Sequence, residues 1–312
     1  MSKQKVLAIV GPTCTGKTAL SIKVAKELGG EIICADSRNI YKYFDIGSAK
    51  PTLDERQGVP HHLIDVAEPS ENFTAAQFRE LGTRAIEEIS ARENLPIVCG
   101  GTGFYTRALL EGLSIPAVPP QDDLRKNLAS EADEKGNEFI YEKLSQLDPE
   151  TAIRLNANDR FRVIRALEVC ITTGKRFSEL AGSRELPYET MWIGLTVTDR
   201  SKLRSLIEKR LAEQMELGML DEVKMLLSKY GRSQKIMNTV NYRDLTAYLA
   251  GEQSLESALE GAITHNYQLA RRQMMWFKSN PEIHWFYTDE TPREKIAEEI
   301  LGRVRKFWKP SS

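Results

Sequence analysis

A chain of 312 residues, 41% hydrophobic and 28% charged, has the composition of a soluble globular protein with one large or two modest domains. No apolar run reaches the length of a membrane span, and Met1-Ser2-Lys3-Gln4-Lys5 lacks signal-peptide anatomy, so no membrane contact and a cytoplasmic location are expected. Lys and Arg number 43 against 44 Asp and Glu, a net charge of −1 that neither reveals nor excludes a nucleic-acid partner, because such binding needs only a local patch. Cys14, Cys34, Cys99 and Cys170 are far apart with no CxxC pair, so buried free thiols are expected rather than zinc ligands or disulfides.

In chain order, residues 6–10 form an apolar run that predicts a strand. Gly11-Pro12-Thr13-Cys14-Thr15-Gly16-Lys17-Thr18 follows, leading into a predicted helix over Lys17–Leu28. Strand, glycine loop and helix in that order make a phosphate-binding loop of the kind that holds nucleotides such as ATP. The glycines let backbone N–H groups turn onto phosphate oxygens, and the helix N-terminus adds its positive dipole end. Lys17 supplies a point charge and Thr18 a hydroxyl for Mg²⁺.

Residues 31–35 predict a second strand, ending in Asp36-Ser37-Arg38-Asn39; residues 74–92 predict a helix, and 96–99 a third strand running into Gly100-Gly101-Thr102-Gly103. Alternation of this kind predicts an α/β fold, a P-loop core whose parallel sheet is covered by helices. Ligands of such sheets lie at the carboxyl ends of the strands, so the loops after these three strands are expected to converge. Pro116, Pro119 and Pro120 open, and Pro187 closes, a charged block at 121–186 with no convincing strand, which reads as a helical insertion. Beyond it come predicted strands at 191–197 and 283–287, and helices at 201–214, 220–229, 242–250 and Leu255–Lys278. Residues 303–309 read as a solvated terminal helix. The domain division is therefore 1–115 with 190–312 as core, and 116–189 as insertion.

Nucleotide-hydrolysing enzymes with this loop usually carry a second acid at a strand end for Mg²⁺, yet the third strand ends without a carboxylate. Asp36 ends the second. A lone Asp there serves as a turn cap, holds Mg²⁺ through water, or accepts a proton from a nucleophile, and polarity alone does not separate these roles. His61 and His62 lack a third metal ligand at suitable spacing, so packing or hydrogen bonding is expected of them; His265 and His284 show no partner in the sequence. Trp276, Phe277 and Trp285 read as core.

The ordered set of motifs resembles the tRNA dimethylallyltransferases, which prenylate N6 of the adenosine next to the anticodon. Besides residues 11–18 it comprises Ala35-Asp36-Ser37 with Ile40-Tyr41; Asp45-Ile46-Gly47-Ser48-Ala49-Lys50-Pro51; Pro60-His61-His62-Leu63-Ile64-Asp65; Phe73-Thr74-Ala75; and Gly100-Gly101-Thr102-Gly103 with Tyr105. Asn158-Asp159, Arg165-Ala166-Leu167-Glu168-Val169 and Arg271-Arg272-Gln273 with Trp276-Phe277 complete the series. The resemblance implies that residues 11–18 and Mg²⁺, held at Thr18, bind dimethylallyl diphosphate, with Lys17 and Thr18 stabilising the departing diphosphate. It implies that Asp36 is the general base and that a flipped adenosine reaches it through a channel. Contacts to the tRNA anticodon stem-loop are implied for Asp36, Ser37, Arg38, Asn39, Thr102, Arg125, Arg162, Arg165, Arg243, Arg271, Arg272 and Gln273, and the enzyme is expected to be a monomer.

The chain departs from the family pattern at four places. Asn39 stands for the usual Gln, Arg160-Phe161 for Pro-Gln, Asn238 and Asn241 for a basic residue or Gln and then Gly, and Asn266-Tyr267 for Thr-Arg. Lineage drift and an altered acceptor both fit; survival of the arginines and of Gln273 favours drift. The alternatives are a prenyltransferase acting on free adenine nucleotides, which needs no insertion, and a P-loop small-molecule kinase.

Overall fold

The computed structural model describes residues 3–116, 118–183 and 186–308. Two compact units emerge, Met1–Leu110 with Pro187–Ser312 as the first and Glu111–Leu186 as the second.

The first unit begins with β1 (Gln4–Val10), α1 (Lys17–Leu28), β2 (Gly30–Cys34), α2 (Leu53–Arg56), β3 (His61–His62), α3 (Ala75–Ala91), β4 (Leu95–Gly100) and α4 (Gly103–Leu110). The second contains β5 (Leu113–Ser114), α5 (Asp122–Lys135), α6 (Asn137–Leu147), α7 (Pro149–Arg154), α8 (Arg160–Thr173), α9 (Phe177–Leu180) and β6 (Gly182–Ser183). The chain then returns to the first unit with β7 (Tyr188–Thr196), α10 (Arg200–Glu216), α11 (Met219–Tyr230), α12 (Gln234–Met237), α13 (Tyr242–Leu249), α14 (Leu255–Lys278), β8 (His284–Tyr287) and α15 (Arg293–Trp308).

The sheet of the first unit has the order β3-β2-β4-β1-β7-β8, with every pairing parallel. Alternate side chains of β1 enter opposite layers: Val6, Ala8 and Val10 pack on one face, Leu7 and Ile9 on the other. Burial on both faces explains why β1, β2 and β4 read as unbroken apolar runs. On the second face, Leu20, Ile22 and Val24 of α1 meet Ile296, Ile300 and Val304 of α15; each such side chain contributes roughly 1.5–3 kcal/mol by leaving water. Helix α3 starts at a capping box between Thr74 and Gln77, and α1 stops at Gly29, whose φ of 64° is left-handed.

Three short strands escape the sequence reading. β3 is a two-residue edge strand, and β6 lies in the block expected to hold no strand, pairing antiparallel with β5. Two residues carry no period to detect. The second strand also stops at Cys34, and Ala35 beyond it donates its N–H to Cys99 O at 2.8 Å and accepts the Thr102 N–H at 3.1 Å.

The second unit packs Leu128, Ala132, Ile140, Leu144, Val163 and Leu167 into its own core. Glu168, fully buried, accepts from Arg125 Nε and Nη2, each at 2.8 Å, and from Arg165 Nη1. Arg165 also donates to Val118 O at 3.1 Å. Burial alone would raise the Glu168 carboxyl pKa; the hydrogen bonds from Arg125, Gln121 and Arg165 outweigh it and hold the pKa below its ordinary value. Arg160 ties α8 to Asp133 at 2.6 Å, leaving Phe161 and Arg162 exposed beside it.

Candidate active site

The loops after β1, β2 and β4 meet at one cavity of about 760 Å³, lined among others by Thr13, Cys14, Gly16, Lys17, Thr18, Asp36, Asn39, Gly100, Gly101, Arg210 and Gln273. Backbone approach distances make the glycines obligatory. A Cβ at Gly11, where φ is 138°, would stand 2.1 Å from Leu195 O, and one at Gly100 would stand 2.1 Å from Ala35 O. Gly101 leaves room for the Gln273 amide, whose Nε2 would lie 2.4 Å from an added Cβ. Gln273 Oε1 accepts the N–H of Thr13 at 2.9 Å, so α14 braces the loop after β1 from across the cavity. One turn further on, Trp276 sits against Gly103 and takes Arg107 over its ring at 5.7 Å.

Gly16 precedes α1 with φ 86°, and Lys17 is the first helical residue. Its ammonium donates to Pro12 O at 2.5 Å. Burial lowers the Lys17 pKa, with Cys99, Cys14 and Asp36 opposing that drift and Arg210 adding to it. Thr15 is buried and donates to Pro12 O at 2.9 Å, an internal stay of the loop.

Asp36 follows β2 and lines the same cavity. Its Oδ1 accepts the N–H groups of Arg38 at 2.8 Å and Asn39 at 3.4 Å, which is the turn-cap arrangement, while no hydrogen bond among the described residues occupies Oδ2. One oxygen therefore fixes the carboxylate and the other remains available to a ligand. Thr102 Oγ1 accepts Ser37 N–H at 3.0 Å, and Arg38 Nη2 donates to Asn238 O at 3.3 Å, so Ser37, Arg38 and Thr102 join the loops that frame the cavity. Asn39 is buried between Cys34 Sγ and Ser48 Oγ. Burial, with Asp36 second, pushes the Cys34 thiol up to about 12, and burial raises Cys99, which makes both unreactive.

Other sequence motifs serve the frame. Lys50 is buried and bonds Asp45 and Asp65, each at 2.5 Å, joining two of the quoted motifs. Glu222 of α11 accepts the N–H groups of Asp45, Ile46 and Gly47 at 3.1, 2.8 and 3.1 Å. His62 Nε2 lies 2.7 Å from Glu31, a structural partner, and His265, which showed none in the sequence, lies 2.9 Å from Asp244. His284 likewise packs edge-on against Phe286, at 4.9 Å between ring centres.

The expected tRNA-facing arginines divide. Arg243, Arg271 and Arg272 are exposed, none of them lining the cavity, and Arg162 is exposed in the second unit. Arg125 and Arg165 are instead committed to Glu168, because a fully buried carboxylate requires partners. Arg210 was absent from the expected set. It sits on α10 beside the buried positions Leu203, Ile207, Leu211 and Gln214, and a basic residue flanking an apolar stripe was the available signal. No group of three His, Cys, Asp or Glu suited to a metal exists among the described residues. The donor set, a Thr18 hydroxyl beside a phosphate loop, suits Mg²⁺ that takes its other ligands from substrate phosphates and water.

A family model described as IPP transferase matches residues 39–280. The chain belongs to the IPP transferase family. The tRNA dimethylallyltransferase of Thermomicrobium roseum is 43% identical to this family member over 309 residues, 98% of this chain and 94% of the relative. That of Bacillus cytotoxicus is 42% identical, covering 95% and 93%. Among solved structures, the full-length tRNA isopentenylpyrophosphate transferase of Bacillus halodurans superposes with a TM-score of 0.74 at 36% identity, covering 98% of this chain and 97% of that one. A eukaryotic dimethylallyltransferase acting on tRNA gives 0.79 at 27% identity, covering 96% and 80%. Both likenesses agree with the α/β core, its parallel sheet flanked by helices.

Proposed function

We propose that this protein transfers a dimethylallyl group from dimethylallyl diphosphate to N6 of the adenosine 3′-adjacent to the anticodon in tRNA, releasing diphosphate. The observation that carries this reading is that one cavity joins residues 13–18 to Asp36, whose Oδ2 has no hydrogen bond among the described residues, whereas Glu55 and Glu27, which also line it, are tied to the Thr52 N–H and to Arg305. The bond broken is between the allylic carbon and oxygen, and the diphosphate leaves with the electron pair. The bond formed joins that carbon to N6, and Asp36 takes the proton the nitrogen sheds. Loop N–H groups, Lys17 and Arg210 supply positive potential where the leaving charge develops. Mg²⁺ at Thr18, when bound, neutralises part of the diphosphate charge.

The second unit supports a macromolecular acceptor over a free nucleotide, since it presents Phe161 and Arg162 to solvent from a separately packed core. RNA binding through this unit and through Arg271 and Arg272 follows from the same reading. A monomer suffices because every group named at the cavity comes from one chain, and the cytoplasm is the location the acceptor requires. No helix among the described residues is long and apolar enough to cross a membrane. The test is inhibition: diphosphate should compete with the donor and ATP should not be consumed during turnover. ADP released in step with product would revive the kinase reading.

A further inference from the structure

Asn241 and Asn266, two of the positions where the chain leaves its family's pattern, touch each other. Both are buried, at 2% and 3% exposure. Asn241 precedes α13 with φ 74°, a backbone state that favours glycine, so its amide is present despite a conformational cost. Hydrogen bonding fixes which way each amide points. Asn241 Nδ2 donates to Gly47 O at 3.1 Å and to Gln214 Oε1 at 3.4 Å, leaving Oδ1 as acceptor. Asn266 Nδ2 donates to that Oδ1 at 2.6 Å and to Ala262 O at 2.9 Å. With both amide hydrogens spent, Asn266 Oδ1 is the free acceptor, and Arg210 Nη2 donates to it at 3.4 Å. Turning either amide over would set like groups against each other in a buried site.

We propose that Asn241 and Asn266 are positioning residues that hold the Arg210 guanidinium at the wall of the phosphate cavity, in register with the diphosphate of the donor. The proposal rests on the reading of this cavity as a diphosphate site. The amide chain runs from the 46–47 backbone, which Gln214 Nε2 also grips at Ile46 O, through Asn241 and Asn266 to Arg210. It thereby restrains a long side chain whose rotamer freedom would otherwise be lost on each binding event. The two departures are one linked feature, and their effects should be coupled.

The experiment measures diphosphate affinity by calorimetry on the full chain for wild type, Asn241→Gly, Asn266→Ala and Arg210→Ala, and for each Asn variant combined with Arg210→Ala. Donor KM, kcat and melting temperature are recorded alongside. Glycine suits the φ at 241, so Asn241→Gly keeps the fold even if Asn266→Ala does not. Each Asn variant should weaken diphosphate binding about fivefold, the size of one lost hydrogen bond, and raise donor KM more than it lowers kcat. In the Arg210→Ala background neither should have further effect, whereas a purely structural role would shift melting temperature and leave affinity unchanged. Unchanged affinity in Asn241→Gly, or an undiminished loss without Arg210, overturns the proposal. If the wild-type chain itself binds no diphosphate, the cavity reading falls and takes the proposal with it, an outcome recognised from the wild-type measurement alone.

Discussion

Two demands meet on Asp36. Its Oδ1 satisfies the N–H groups that begin the turn after β2, and its Oδ2, without a hydrogen bond among the described residues, is the atom to which the proposed proton transfer is assigned. Substitution separates the roles, because Asn caps a turn as well as Asp does but accepts no proton at neutral pH. Asp36→Asn should preserve melting temperature yet lose transfer by about 10²–10⁴, the usual cost of a missing general base, and Asp36→Ala should match it in rate while retaining tRNA affinity. Near-native turnover in Asp36→Asn would remove the residue from the mechanism. That Asp36 and the loop at residues 11–18 meet at one cavity was legible because each follows a strand that the sequence marks as an apolar run. Arg210 and the brace from Gln273 to Thr13 were not, since nearly two hundred residues or more separate them from the loop they serve, and only the fold brings them there.

At the scale of elements, Glu31 shows how one strand is fastened to its neighbours. Within β2, it accepts from Arg92 Nε and Nη2 at 3.0 and 2.8 Å and from Asn94 at 2.8 Å, and meets His62 of β3 at 2.7 Å. Burial pulls its pKa upward, but the Arg92, Asn94 and His62 bonds prevail and hold it at about 2 against an ordinary 4.5. A depressed folded-state pKa contributes stability that is complete above about pH 4.5 and is lost as pH falls towards 2. Glu31→Gln should destabilise the chain by about 2 kcal/mol at neutral pH, less than a fully buried pair would cost because Arg92 is half exposed. It should also flatten the decline of melting temperature between pH 5 and about pH 2, a comparison that thermal melts settle. An equal acid limb in both proteins would refute the assignment. The core strands were readable as apolar runs, and α1 and α14 appeared with their observed bounds, but the terminal helix, expected as a solvated stretch at 303–309, is α15 from Arg293 to Trp308 and buries Ile296, Ile300 and Val304. The two-residue strands β3, β5 and β6 and the four-residue α2 and α12 were not readable, since tertiary contacts rather than local pattern select them.

For the whole molecule, the question is which charges reach the acceptor. Arg162 is exposed at 62% and pairs with Asp159 at 3.2 Å, while Arg165 and Arg125 neutralise Glu168. Arg162→Ala should weaken tRNA binding and reduce its salt slope by about 0.7–0.9, one phosphate contact. Arg165→Ala should chiefly lower the stability of the second unit, because it strips a partner from a buried carboxylate. Filter binding across a salt series, paired with melting curves, separates these outcomes, and identical behaviour of the two variants would contradict the division. The central claim itself is the transfer of a prenyl group to tRNA. It is tested most directly by offering dimethylallyl diphosphate labelled in its allyl group to a mixture of tRNA and AMP, then digesting the RNA and locating the label. The account predicts label on N6 of the adenosine next to the anticodon, with one diphosphate released per group transferred. Label on AMP alone, with the tRNA unmodified, would contradict it.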